Sequence, residues 1–479
     1  MQIREITIRN FRSIEQLTWQ PSASLVCLIG RGDVGKSTVL DAIELALCPR
    51  APAITDTDFL VGDTSKPIEL LVTVGELPED ALGDNRFGLH LRGWQKVGGL
   101  RDEPQGDDES VVTVRMTADA SLEGEWTLHT DRQEPKTLKR ADRALVGVIR
   151  LGPEIEKHLA WGRYTALWSA TDNRDIVVAT LANAFRAARD HVLTDGLPTL
   201  AAIAMNATTQ AKQLGAYCTA SYHTGLDMQR TAMSLSGVAL HDGTVPVRLA
   251  GLGTRRLVSL AIQRMSVKAG AIVLIDEIEH GLEPHRIRYA LKVLRESVDP
   301  PDNRGAKGQV ILTTHSPTTL VELGHHQLAI CRKATSAITI RTPGKEVQAL
   351  LRRVPEALLS ERVLVCEGPT EIGLIRGLRD IWNTSHPFPF EALGTWLADG
   401  GGSQGPATAL ELTSLGYKTA LFRDSDRPLD ATVRADLRAA DVDLYEWDGD
   451  VATEQRMFKD AAWPVVQKLL DIAYRVRTQ

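Results

Sequence analysis

The opening QIREITIRNF alternates apolar and polar positions, the period-two pattern of a strand with one face toward a core, and LVCLIG follows as an unbroken apolar run that stops at glycine. The pair predicts an edge strand followed by a buried one. STVLDAIELAL then carries its apolar residues at helical spacing. From position 67 to about 131 the runs IELLVTV, VVTVRMT and EWTLHT, separated by Gly-, Asp- and Pro-rich turns, predict strands, with GGLRDEPQGDDES between them as a mobile loop. Between about 153 and 235 the character turns helical and alanine-rich, as in DIVVATLANAFRAARDHV and TLAAIAMNATTQAKQL, which predicts a helical insertion. In VALHDGTVPVRL the pair Asp242-Gly243 predicts a hairpin, after which a helix and the strands AIVLIDE and QVILTTH resume a parallel α/β core. Near Val347 a further unit opens with an amphipathic helix, VQALLRRVPEALL. It alternates strand and helix through RVLVCEG, TWLADG and TALFRDSD to a final strand and helix, the pattern of a second, smaller parallel sheet. The expected segments are therefore 1–150, 151–237, 238–345 and 346–479, all within an α/β fold.

Composition narrows the functional classes. With 479 residues, 43% of them hydrophobic, the chain can bury a large core and divide into several domains. The net charge of −6 offers no general attraction to nucleic acid, so any DNA contact has to come from local basic surface. Arg352, Arg353, Arg376 and Arg379 stand at helical spacing, a pattern that a solvated face explains as well. No apolar run is long enough to span a bilayer, and the charged opening lacks the apolar stretch of a signal peptide, so a cytoplasmic protein without membrane contact is expected. The five cysteines, Cys27, Cys48, Cys218, Cys331 and Cys366, are scattered without CxxC spacing and read as buried thiols rather than disulfides or zinc ligands.

Candidate chemistry begins with Gly30-Arg31-Gly32-Asp33-Val34-Gly35-Lys36-Ser37, followed by Thr38, which fits GxxxxGK[ST] between an apolar strand and a helix. In such a loop the glycines let backbone N–H groups turn onto phosphates. Lys36 neutralises the outer phosphates, Ser37 ligates magnesium and the helix N-terminus adds its dipole. In AIVLIDEIEHGLEP, four apolar residues bring Asp276 and Glu277 to a strand end, where Asp276 suits a magnesium ion and Glu277 can orient or deprotonate the attacking water. His315 ends the strand of QVILTTHS, within reach of the same phosphates. ATP and Mg2+ are the implied ligands.

The order phosphate loop, acid pair and strand-end histidine resembles the ABC ATPases, and specifically the branch containing RecF and the SMC proteins, whose first strand is similar to ITIRNFRSI. The resemblance implies that 1–150 and 238–345 form one ATPase head, that His315 senses the γ-phosphate, and that two heads sandwich ATP through a signature loop supplied in trans. Leu235-Ser236-Gly237 superficially matches the usual loop but precedes a hairpin. Gly251 to Arg256, with Gly251 and Gly253 opening a helix, is the preferred candidate and departs from the family's serine-containing pattern. HGLEP resembles the loop that links two heads.

A second constellation lies downstream. RVLVCEGPTE places Glu367 at a strand end and Glu371 at the start of the next helix, and TALFRDSDRP adds Asp424 and Asp426, alternate residues that share a side if the strand stays extended. Such a cluster repels itself unless it holds cations, and its hard oxygens suit magnesium or manganese. Acid-Gly after one strand and DxD after a later one resembles the Toprim domain of topoisomerases, primases and certain nucleases, in which one or two divalent ions act on a phosphodiester.

An RecF-like head with a helical insertion and a C-terminal Toprim domain resembles the OLD (overcoming lysogenisation defect) nuclease family, to which the Gabija nuclease subunit is related. That resemblance implies an ATP-regulated, metal-dependent DNA endonuclease, commonly serving in anti-phage defence. It implies a homo-dimer or larger homo-oligomer assembled through the ATPase and helical regions. Glu367, Glu371, Asp424 and Asp426 take the metal positions and Glu454 is a further acid. Asp399, in the ADGGGSQG turn, fits a place in the site and a turn role alike. Nucleases of this type usually continue past this point and supply a basic residue, for which Lys468 and Arg475 are candidates. The competing expectation is an ATPase sensor or clamp whose acidic domain is inactive alone and acts with an effector partner. No tyrosine-bearing strand-passage domain or zinc segment points to a topoisomerase or primase.

Overall fold

The computed structural model describes residues 1–49, 52–83, 86–152, 174–194, 204–205, 207–209, 240–268, 270–300, 308–334, 337–345 and 347–477. The chain divides into two units, 1–150 with 267–479, and 151–266.

In the first unit, an antiparallel sheet runs β2 (Ile14–Trp19), β1 (Gln2–Phe11), β4 (Ile68–Gly75), β7 (Glu109–Ala118), β5 (Arg92–Gln95), β6 (Gly99–Arg101), and β8 (Gly124–Leu128) and β9 (Lys136–Thr137) extend it from β7. Alternate residues Ile6, Ile8, Leu70, Val72, Val112 and Val114 face one core. The helix Lys36–Leu47 lays Val39, Leu40, Ile43 and Leu47 in that same core. Each such side chain contributes about 1.5–3 kcal/mol on burial. The first strand is not an edge: Ile6 pairs with Trp19 on one side and Val72 on the other. Alternation reports which face is buried and is silent about the backbone edges, so a central strand with one wet face reads the same as an edge strand.

A second sheet has the order β10 (Val148–Leu151), β13 (Ile272–Ile275), β14 (Gln309–Thr313), β3 (Leu25–Ile29), β15 (Leu328–Ala334), β16 (Ala337–Arg341). The pairings from β13 through β14 and β3 to β15 are parallel, and every residue of β3, β13 and β14 is buried. In register, Ile275 lies opposite Leu312 and Thr313 opposite Leu28, so the carboxyl ends of three adjacent strands open at one edge. That is where an α/β sheet collects its ligand.

The third sheet, β18 (Thr395–Asp399), β17 (Arg362–Cys366), β19 (Lys418–Arg423), β20 (Asp443–Glu446), is parallel throughout. Cys366 sits opposite both Asp399 and Phe422, which again aligns the carboxyl ends.

Three local expectations are corrected. The segment 98–110 is not loop throughout: Gly99–Arg101 forms β6, Asp108 accepts from Gln105 N at 3.0 Å, and Asp102 accepts from Asp131 N at 2.7 Å. The helix expected over VQALLRRVPEALL stops at Arg353 and restarts as a 3-10 turn at Pro355, because proline disfavours helical backbone in the residue before it and cannot donate an N–H. Two helices, Thr453–Asp460 and Trp463–Arg477, follow β20 where one was expected.

In the second unit the described elements are the helix Arg174–Thr194, the hairpin β11 (His241–Asp242) and β12 (Val245–Pro246), and the helix Leu252–Lys268. Gly243, at φ +59°, makes the hairpin turn. Most of the expected insertion 151–237, with Leu235-Ser236-Gly237 and Cys218, lies outside the described residues. No helix among the described residues is long and apolar enough to cross a membrane.

Candidate functional site

The phosphate loop hangs between the end of β3 and the helix Lys36–Leu47, and two glycines are required by geometry. Gly30 has φ +144° and a Cβ there would lie 2.5 Å from Cys331 O; Gly35 has φ +99° and a Cβ would lie 2.8 Å from Ile338 Cδ1. Gly32 has open space around it, and Asp33 adopts φ +59°. Val34 is packed at 3% exposure and anchors the loop. Lys36 is buried, and its ammonium donates to Gly30 O at 3.0 Å and Arg31 O at 2.9 Å. Burial pushes its pKa below the usual lysine range, against the pull of nearby acids including Asp276. The hydroxyl of Thr38 is 3.4 Å from that of Ser13.

Asp276 and Glu277 follow β13 directly. Ser37 Oγ donates to Asp276 Oδ1 at 3.1 Å, and Thr313 Oγ1 donates to the same oxygen at 2.7 Å. A serine hydroxyl and a carboxylate oxygen side by side at a phosphate loop are the hard donors that magnesium takes, so this pair fits the ion. Glu277 adopts φ +48°, and its N–H donates to Thr313 Oγ1 at 2.9 Å. The residue after Asp276 thus departs from strand backbone. His315 is exposed two residues past β14, and its N–H donates to Glu279 Oε1 at 2.5 Å while Thr314 Oγ1 donates to Oε2 at 2.7 Å. Lys36, Ser37, Asp276, Glu277 and His315 thus all belong to the carboxyl edge of one sheet. Gly251 and Gly253 lie in the second unit, where Gly251 O accepts from Arg255 N at 3.1 Å at the start of the helix Leu252–Lys268.

Several participants were missed in the sequence. Glu279, two positions after Glu277, anchors the histidine loop. Arg150, at the end of the first stretch, sends Nη2 to Asp276 Oδ2 at 2.9 Å and Nη1 to Glu44 Oε2 at 3.1 Å and to Asp41. Arg31 reaches Glu361 at 2.7 Å. Beside that pair is a cleft of about 440 Å³ lined by Arg31, Arg332, Lys333, Arg341 and Lys418, with Asp33 and Glu361.

The C-terminal acids gather at the carboxyl edge of the third sheet. Glu367 accepts from Asp424 N at 3.0 Å, with Arg423 Nε at 3.6 Å. Glu371 is 3% exposed at the head of the helix Pro369–Ser385 and accepts from Gly368 N at 2.9 Å. Burial raises its pKa above the ordinary carboxylate value; a hydrogen bond from Thr453 opposes this and the neighbouring Asp424 adds to it. Asp424 accepts from the N–H of Thr453 at 3.0 Å and from its hydroxyl. Glu454 accepts from Thr370 Oγ1 at 2.7 Å. β19 ends at Arg423, so the alternation of an extended strand does not set the side of Asp426 relative to Asp424, and Asp426 is exposed. Asp399 accepts from Gly401 N at 2.8 Å, a turn role, while Gly400 N and Gly402 N donate to Cys366 O and Glu367 O at 2.7 and 2.8 Å. Among the described residues no three His, Cys, Asp or Glu side chains converge as a metal cluster. Cys27, Cys331 and Cys366 are buried, as expected, whereas Cys48 is partly exposed; burial raises the thiol pKa of Cys331 and Cys366 to about 12.

Two family models match parts of the chain: "AAA ATPase domain" over residues 1–69, which holds the phosphate loop, and "AAA domain, putative AbiEii toxin, Type IV TA system" over 226–322, which holds Asp276, Glu277 and His315. Two separated stretches of the chain are thus each similar to an AAA-type ATPase model. No curated protein matches it. Among solved structures it is similar to an SMC head bound to the C-terminal winged-helix domain of ScpA, at 15% identity over 71% of this chain and 97% of that one with a TM-score of 0.41. It is also similar to an SMC head with an extended coiled coil, bound to the ScpA C-terminal domain derived from Pyrococcus furiosus, at 12% identity over 72% and 96% with a TM-score of 0.41. The recombination mediator RecF bound to ATP gives 12% identity over 66% and 94% with a TM-score of 0.35. At these values the likeness carries nothing about function.

Proposed function

We propose that this protein is an ATP-binding and ATP-hydrolysing, divalent-metal-dependent DNA endonuclease of the OLD type, serving in anti-phage defence, in which the ATPase head regulates a Toprim-like acidic site. The observation that carries the reading is the meeting of Glu371, at the head of the helix Pro369–Ser385, with Asp424, just past β19. Glu371 is 3% exposed, and the burial that raises its pKa is a cost that a bound cation would offset. A divalent ion held by Glu367, Glu371 and Asp424 would supply a water-activating charge at a phosphodiester. In the head, Lys36 and the loop N–H groups hold the ATP phosphates, Ser37 and Asp276 hold Mg2+, and Glu277 orients the water. His315 faces the γ-phosphate, and Gly251 and Gly253 contact the nucleotide of a second copy.

The test is plasmid cleavage with Mg2+, Mn2+ or Ca2+, with and without ATP. Cutting that disappears in Glu367→Ala and Asp424→Ala supports the reading, and cutting retained in both sinks it.

A second reading is favoured by one observation: Asp424 and Glu371 are already satisfied by Thr453 and backbone N–H groups, and among the described residues no three such side chains converge as a metal cluster. In that reading the chain is an ATPase sensor or clamp whose acidic domain works only with an effector protein. ATP hydrolysis with intact plasmid in every metal, and cutting only after the effector is added, distinguishes it.

A further inference from the structure

Arg150 is the last residue but one of β10, on the far side of β13 from the phosphate loop strand, and places one guanidinium against three carboxylates. Nη2 bonds Asp276 Oδ2 at 2.9 Å, while Nη1 bonds Glu44 at 3.1 Å and Asp41. Arg12 holds the other oxygen of Asp41 and reaches Asp58 at 3.0 Å. Arg150 and Asp276 are 12% and 13% exposed, so water screens this contact little. The two oxygens of Asp276 are divided between separate partners: Oδ2 faces Arg150, and Oδ1 faces Ser37 and Thr313.

We infer that Arg150 is the positioning residue of the metal site: it grips Oδ2 from behind and thereby aims Oδ1 at the place beside Ser37 where the nucleotide's magnesium binds. A carboxylate can rotate about its terminal bond, and one oxygen held by a planar fork removes that freedom. The fork is anchored in turn by Asp41 and Glu44 on the helix Lys36–Leu47, the helix that begins with Lys36 and Ser37. The aim of the acid is therefore fixed to the same element that carries the serine ligand. Lysine cannot do this, because its single ammonium does not bridge two groups of carboxylates in one plane. Arg150 is also the last residue before the chain enters the second unit at Leu151.

The inference rests on the reading of Asp276 as the magnesium acid, and the experiment separates the two. Binding of a fluorescent ADP is followed in EDTA and then as Mg2+ is titrated, for the full chain and its Arg150→Ala, Arg150→Lys, Asp41→Asn and Asp276→Asn variants. Loss of a partner behind a metal ligand typically weakens the metal about 10–100-fold. Arg150→Ala and Arg150→Lys are expected to move the Mg2+ midpoint up by about tenfold or more, with affinity in EDTA unchanged; Asp41→Asn, which loosens the anchor, moves it in the same direction by less. A midpoint unmoved in Arg150→Lys and Asp41→Asn, both conservative enough to fold, overturns the inference even if Arg150→Ala is lost to misfolding. A midpoint unmoved in Asp276→Asn overturns the reading of Asp276 itself. A purely structural Arg150 lowers thermal stability and leaves the Mg2+ midpoint where it was.

Discussion

Arg31 Nη1 lies 2.7 Å from Glu361 Oε2, joining the second residue of the phosphate loop to the residue just before the first strand of the acidic domain. Around it the β15–β16 hairpin is docked on the same domain: Arg332 donates to Ser360 O at 3.0 Å and lies 3.2 Å above the Tyr417 ring, and Arg341 donates to Ser414 O. Both members of the Arg31–Glu361 pair are substantially exposed, so the pair contributes about 0–1 kcal/mol to stability. If it also couples the loop to that domain, Glu361→Ala is expected to leave the melting temperature and ATP affinity nearly unchanged while weakening any effect of ATP on hydrogen exchange in residues 347–477. An ATP-dependent exchange pattern identical to that of the unmodified chain would remove the pair from the coupling path.

Glu277 has left-handed backbone, and its N–H donates to Thr313 Oγ1 directly after the strand that leads to Asp276. If it orients or deprotonates the attacking water, Glu277→Gln removes the base and keeps the shape. Steady-state ATP hydrolysis is expected to fall by about a hundredfold or more, nucleotide affinity to stay within about twofold, and the ATP-bound assembly to accumulate by light scattering. Hydrolysis at the ordinary rate would assign the water to another residue.

The phosphate loop and the acid strand were legible because their chemistry is written in consecutive residues, and a loop of eight positions cannot fit its pattern by spacing alone without the strand and helix that flank it. Arg150 was not. It is one of 55 basic residues, and its partners Glu44 and Asp276 are 106 and 126 positions away, so only the folded chain brings them together. Asp426 is the reverse case: spacing puts it on the side of Asp424 only if the strand stays extended, and β19 ends at Arg423, before either residue. The four-stranded parallel sheet before them was readable from its alternation of short apolar runs and helices, the pattern of strands joined by crossover helices.

Glu371 links the acidic site to pH. Its folded pKa is raised, chiefly by burial, so the stability it contributes is fully present below the ordinary carboxylate pKa near 4.5 and is lost as pH rises through the higher folded value. Thermal unfolding of the unmodified chain should therefore weaken on going from acid toward neutral pH by a component that Glu371→Gln lacks. At neutral pH that variant is expected to melt a few degrees higher, since it keeps an oxygen for Gly368 N and loses the buried charge. Equal pH profiles for the two proteins would show that Glu371 carries no such penalty.

Thr453 is fully buried and its hydroxyl is used in both senses: it accepts from Trp447 Nε1 at 2.8 Å and donates to Asp424, whose same oxygen also takes the Thr453 N–H at 3.0 Å. Thr453→Val preserves shape and removes this relay, leaving the Trp447 indole and one bond of Asp424 unsatisfied. Leaving such groups buried costs about 1–3 kcal/mol, so the variant should unfold earlier in denaturant without metal. The two functional readings then diverge. If Asp424 is a metal ligand, the lost donor is replaced by the ion, and Mn2+ should stabilise Thr453→Val more than the unmodified chain, because the ion no longer competes with the hydroxyl. If the acids are held by protein donors alone and the domain serves as a docking element, Mn2+ shifts both unfolding midpoints equally, and the destabilisation of Thr453→Val remains in full.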